Sequence, residues 1–165
     1  MLVDQKKIAL SIILIIGITA FILPGCADPP DDFVIRSLPA YDNVIIYSEG
    51  EFQDCTDFYI YHYKNISLSE LENNKYLNPV KDHTASILPY IEDFEKWIAV
   101  YRKNDANREL PSNYDFEKSI IDENDYFYID NDKITSIDKF EKFANYTLYL
   151  FDTQTNTLFY FHNNT

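Results

Sequence analysis

Four segments of this chain alternate between two kinds of side chain, and that alternation limits the fold more than any other feature. They are Phe58–Lys64 (FYIYHYK), Tyr126–Ile129 (YFYI), Tyr146–Phe151 and Leu158–His162. Successive residues of an extended strand point to opposite faces. Phe58, Ile60, Phe127, Ile129, Leu148, Leu150, Phe159 and Phe161 therefore share one face. Tyr59, Tyr61, Tyr63, Tyr126, Tyr128, Tyr149 and Tyr160 share the other. A phenylalanine ring carries no polar atom and suits a core, whereas a tyrosine hydroxyl can stay in water. The expectation is a sheet packed on its Phe side and half-wet on its Tyr side. Two readings of the Tyr side stand. The 14 tyrosines reflect the preference of aromatic rings for strands. Alternatively, the seven named tyrosines form a binding platform for a glycan or a partner protein.

The Phe side needs a partner, and residues 82–101 supply it. Ile87, Ile91, Phe94, Ile98 and Tyr101 recur at helical spacing, Leu88 and Trp97 widen the stripe, and Glu92, Asp93, Glu95 and Lys96 cover the opposite side. Ser86 as N-cap, the favoured start, would put Pro89 in the first turn, where its missing N–H costs nothing; a start at Asp82 would instead leave Pro89 to kink the helix. Ser67-Leu68-Ser69-Glu70 has the form of a capping box and predicts a short helix. Asn43–Tyr47 reads as a strand, with Glu49-Gly50-Glu51 as a turn. Asp152–Thr157 carries turn residues and joins the last two strands into a hairpin. Arg102–Asn113 reads as a loop, Tyr114–Asp125 is ambiguous, Ile134 starts a short strand, and Ser136–Phe143 forms a helical turn or two. The fold class is α+β: a single antiparallel sheet packed on one long helix, with a C-terminal hairpin.

The N-terminus addresses location. Lys6 and Lys7 precede an apolar block from Ile8 to Leu23, followed by Pro24-Gly25-Cys26. A cationic start, an apolar core and small residues are the layout of a secretory signal. The block is 16 residues long, short of the roughly 20 that a membrane-spanning helix needs. Leu23, Gly25 and Cys26 resemble the lipobox of bacterial lipoprotein signals, with Pro24 departing from the pattern. The resemblance implies cleavage before Cys26, lipid on its sulfur and an acylated new N-terminus. Residues 1–25 would then be a signal peptide, 26–42 the lipidation site and linker, and 43–165 an extracytoplasmic α+β domain at the cell membrane. An uncleaved signal anchor and a soluble secreted form remain as alternatives. So does a Cys26–Cys55 disulfide in place of lipidation.

Charge narrows the partners. The net charge is −13, a surface that repels nucleic acid and anionic headgroups. No nucleic-acid partner is expected. A basic partner is allowed.

Chemistry has few footholds in the linear order. His62 and His162 are read as lying on the Tyr face, able to approach if their strands are neighbours. No short-spaced ligand set accompanies them, so no metal or other cofactor is expected. Asp122-Glu123-Asn124-Asp125 and Asp130-Asn131-Asp132 lack the glycine of a calcium loop and read as solvated turns. Cys55 lies in the acidic run Asp54–Asp57, which raises a thiol pKa and makes a poor nucleophile. With three glycines in the chain, no phosphate loop or nucleophile elbow is present. These observations favour a non-enzymatic binding or accessory domain resembling small bacterial lipoproteins. The alternatives are an inhibitor or immunity-type protein against a secreted enzyme or toxin, and a small hydrolase.

Overall fold

The computed structural model describes residues 32–51, 54–103, 110, 114, 116–131 and 145–164. The elements in order are α1 (Phe33–Arg36), β1 (Asn43–Glu51), β2 (Asp54–His62), α2 (Leu68–Glu72), β3 (Asn78–Pro79), α3 (Thr84–Lys103), β4 (Tyr126–Asp130), β5 (Tyr146–Asp152) and β6 (Thr157–Asn164). The strands form one six-stranded sheet in the order β1-β2-β6-β5-β4-β3. Every pairing is antiparallel. The chain is thus α+β, with its sheet on one long helix and β5–β6 as the C-terminal hairpin. Among the described residues, no helix is long and apolar enough to cross a membrane. Residues 1–31 with Cys26, the segments at Ile134 and Ser136–Phe143, and most of Arg102–Asn113 lie outside the described residues.

The Phe face packs on α3 as its alternation demands. Phe58, Ile60, Phe127, Leu148, Leu150, Phe159 and Phe161 share one core with Ile87, Ile91, Phe94 and Ile98, and Ile129 packs against it. Phe94 stands at its centre, 4.9 Å from Phe161 and 4.2 Å from Phe116 between ring centroids. Two helix assignments are corrected. Leu88 is 44% exposed and does not widen the stripe, while Asp93 is only 5% exposed. The buried stripe runs instead through Tyr90, which lies between Ile87 and Phe94 on the same surface.

The helix also begins earlier than the Ser86 cap predicts. It starts at Thr84, and the His83 carbonyl accepts from the amides of Ser86 and Ile87. Pro89 therefore lies inside it. The carbonyl that Pro89 leaves without a helical donor is that of Ala85. Ala85 is exposed, so water can satisfy it.

Local signals hold elsewhere. Ser67 and Glu70 form the reciprocal capping box at the start of α2. Asn156 closes the β5–β6 turn with φ 53°, a left-handed conformation that asparagine tolerates. The Glu49-Gly50-Glu51 turn is corrected: β1 runs through to Glu51, paired with Asp54.

The largest correction concerns the Tyr face, which is not an open, half-wet surface. Tyr59, Tyr61, Tyr63, Tyr126, Tyr149 and Tyr160 are buried in a second core with Val34, Ile35, Leu38, Leu71 and Leu77, and Tyr128 packs against it. The cover comes from α1, α2 and the chain leading to β3. Burying side chains such as Val34 and Ile35 is worth about 1.5–3 kcal/mol each. That gain draws residues 33–38 out of the expected 26–42 linker and into the fold. The cost falls on the phenols: the Tyr61 and Tyr63 hydroxyls are buried with no hydrogen-bond partner among the described residues.

Candidate functional site

Antiparallel register lays the Tyr side out in rows across the sheet. Tyr59 faces Tyr160, Tyr160 faces Tyr149, and Tyr149 faces Tyr128. Their rings step along at centroid separations of 5.2, 5.2 and 5.9 Å. This ladder is the strongest part of the expected platform, and α1 lies over it. Asp32 caps α1 by accepting from the amides of Val34 and Ile35 at 3.0 Å. Its second oxygen accepts from the Tyr149 hydroxyl. Burial first, then the Asp32 hydrogen bond and charge, holds the Tyr149 phenol far above its usual pKa.

Of the seven tyrosines, Tyr128 retains partial exposure. It meets Phe33 and Tyr76 in an aromatic rim, with Phe33 4.7 Å from Tyr76 and 5.6 Å from Tyr128. Phe33 is 39% exposed, and the Lys75 ammonium lies 4.5 Å from the Tyr76 ring centre. This rim keeps aromatic surface accessible at the edge of the second core, where Tyr41 is also exposed against Tyr61. A recess of about 380 Å³ opens beside Tyr128, lined by Asn78, His83, Tyr90 and Asp130 among others. Its histidine packs edge-on against Phe127.

The next row of the same face is polar. Ser48 faces Asp57, Asp57 faces His162, and His162 faces Thr147. Cys55 precedes Asp57 by two residues and so shares its face. Ligand atoms of Cys55, Asp57 and His162 all lie within 4.8 Å of one another. The Ser48 hydroxyl donates to Asp57 Oδ1, and Thr147 Oγ1 lies 2.9 Å from His162 Nδ1. Asp57 is buried while Cys55 and His162 are half-buried, so the group is reached from solvent through the thiol and the imidazole. Burial raises the Asp57 pKa against the opposing pull of Ser48, the His162 charge and the Cys55 hydrogen bond.

The expected approach of His62 to His162 is corrected. The strands are neighbours, but His62 pairs with Thr157 and His162 with Asp57. His62 falls with Phe58 and Ile60 on the α3 side, because its parity is theirs. His162 therefore meets Asp57 and not His62. The Cys55/Asp57 spacing did mark a shared face, but only strand pairing brings in a residue more than 100 positions later. Cys26, and with it any pairing to Cys55, lies outside the described residues.

The chain matches no protein-family model, no curated protein and no solved structure.

Proposed function

We propose that this protein is a membrane-tethered extracytoplasmic lipoprotein whose domain acts as a non-enzymatic binding or accessory module. The reading rests on the signal-like N-terminus and on one further observation. Asp32 caps α1 and is bonded to Tyr149, which fixes it to the fold. In sequence, Ala27–Asp31 are all that stands between a lipidated Cys26 and that cap. Five residues (ADPPD) extend at most about 3.3–3.6 Å each, and the two prolines stiffen them. The domain is thereby held within roughly 20 Å of the bilayer, with the α1 side nearest to it. The Phe33–Tyr76–Tyr128 rim replaces the buried ladder as contact surface for a partner protein or glycan, since it offers one exposed and two half-buried aromatic rings beside the tether.

The net charge of −13 also supports a second reading, an inhibitor or immunity-type protein directed at a basic secreted enzyme or toxin. Steered acidic–basic association weakens steeply with salt, which separates this reading from contact through the aromatic rim.

Intact mass of the membrane-extracted protein tests the tether. Loss of residues 1–25 and gain of acyl chains is the expected result. The mass of the full translated chain without acyl groups overturns it.

A further inference from the structure

We infer that Cys55, Asp57 and His162 form a binding site for a zinc-class divalent metal ion. The inference stands on the β2–β6 pairing and is independent of whether the chain is lipidated. No metal was expected from the linear order, because no ligand set is closely spaced. The set is assembled by register instead: Cys55 and Asp57 at i and i+2 on β2, and His162 directly across from Asp57 on β6.

The donor set selects the metal. One sulfur, one nitrogen and one oxygen suit zinc or a neighbouring transition ion, whereas calcium and magnesium want oxygen alone. Three protein ligands leave a fourth tetrahedral position for water or an exogenous ligand. Ligand atoms about 2.0–2.3 Å from a tetrahedral zinc stand roughly 3.3–3.8 Å apart. The three donor atoms already lie within 4.8 Å, so closure needs side-chain movements of about 1 Å.

The surroundings are those of a supported site. Ser48 bonds the Asp57 carboxylate and Thr147 bonds the His162 ring. Such outer partners orient ligands and tune their basicity. Asp57, at 7% exposure, is a carboxyl largely out of water, and a bound cation would stabilise its ionised form. Neighbouring strands fix the backbone spacing of all three ligands, and the half-buried thiol and imidazole give the ion a way in.

Cobalt substitution tests the site on the full-length protein in detergent, after chelator treatment. Added Co²⁺ should give the thiolate-to-cobalt charge-transfer band, saturating at a single equivalent, and Zn²⁺ should bleach it. Cys55→Ser should abolish the band, which also excludes any contribution from Cys26. His162→Gln should weaken Zn²⁺ binding more than Thr147→Val, for which a roughly 10–100-fold loss is expected from removing an outer partner. Absence of the band, or its persistence in Cys55→Ser, overturns the assignment. Circular dichroism establishes that each variant is folded. If a variant does not fold, alkylation of the wild-type protein decides, read by mass spectrometry on the Cys55 peptide. Bound Zn²⁺ should slow that reaction about tenfold or more by occupying the thiolate, and an unchanged rate overturns the site.

Discussion

The hydroxyl of Tyr149 donates to the carboxylate of Asp32 across 117 residues of chain. One carboxylate thereby caps α1 and fastens it to the middle of the Tyr ladder. The second core depends on this contact because α1 has only four residues, too few to be stable alone.

Asp32→Ala should therefore cost more than an ordinary cap. Loss of the cap is worth about 1 kcal/mol, and a buried tyrosine hydroxyl left without its acceptor adds about 1–3 kcal/mol. Tyr149→Phe keeps the cap and should cost less, about 1 kcal/mol. Urea denaturation of both variants measures the difference. An unchanged stability in Tyr149→Phe, with Asp32→Ala losing only the value of its cap, would mean that the phenol contributes nothing to holding α1.

The buried phenols give the fold an alkaline limit. Burial is the leading cause of raised pKa values at Tyr61, Tyr63, Tyr114, Tyr146 and Tyr149. Their neutral forms are retained in the fold, while an unfolded chain ionises them near pH 10. Above that pH the unfolded state holds fewer protons, so stability falls as pH rises. Each phenol contributes about 1.4 kcal/mol per pH unit. Against a total stability of about 5–15 kcal/mol, five of them should unfold the domain within roughly two pH units above 10. Phenolate absorbance and circular dichroism should change together in one sharp transition. Gradual ionisation ahead of unfolding would contradict the burial.

Asp125 gives a dependence of the same sign in the acid range. It is fully buried and accepts from the Asp122 amide at 2.7 Å and from the Thr153 amide and hydroxyl at 2.9 and 3.0 Å. Burial outweighs these bonds and raises its pKa above 3.8. The unfolded carboxyl ionises first, so this residue's contribution is greatest below about pH 3.8–3.9 and declines until the folded carboxyl has ionised. Asp125→Asn should remove that decline. It should also destabilise the domain by about 1–3 kcal/mol, because the amide N–H₂ cannot accept where the carboxylate did. Stability curves of parent and variant between pH 3 and 7 make the comparison.

Phe94→Ala should be the most damaging of the single truncations on α3, at about 3–5 kcal/mol. Its ring meets Phe58, Phe116 and Phe161 at once, and no neighbour on a paired strand can relax into the space. Leu88→Ala, on the exposed side, should change stability by less than about 0.5 kcal/mol. Thermal or urea unfolding distinguishes them.

Features set by near neighbours along the chain are legible without the fold. Strand alternation sorted Phe58, Phe127, Leu148 and Phe161 from Tyr59, Tyr128, Tyr149 and Tyr160, because side-chain direction follows from a two-residue backbone period. The Ile87–Ile98 stripe and the Ser67–Glu70 box were readable for the same reason, each being fixed by neighbours within a turn. Alternation does not report what lies over a face. That α1 and the residues from Leu71 to Leu77 close over the tyrosines, turning an expected platform into a core, follows from long-range packing. The same packing pairs β2 with β6, setting His162 beside Asp57 and sending His62 to the other face. Partners on neighbouring strands are chosen by the packing of the whole sheet, and no short window of chain encodes that choice.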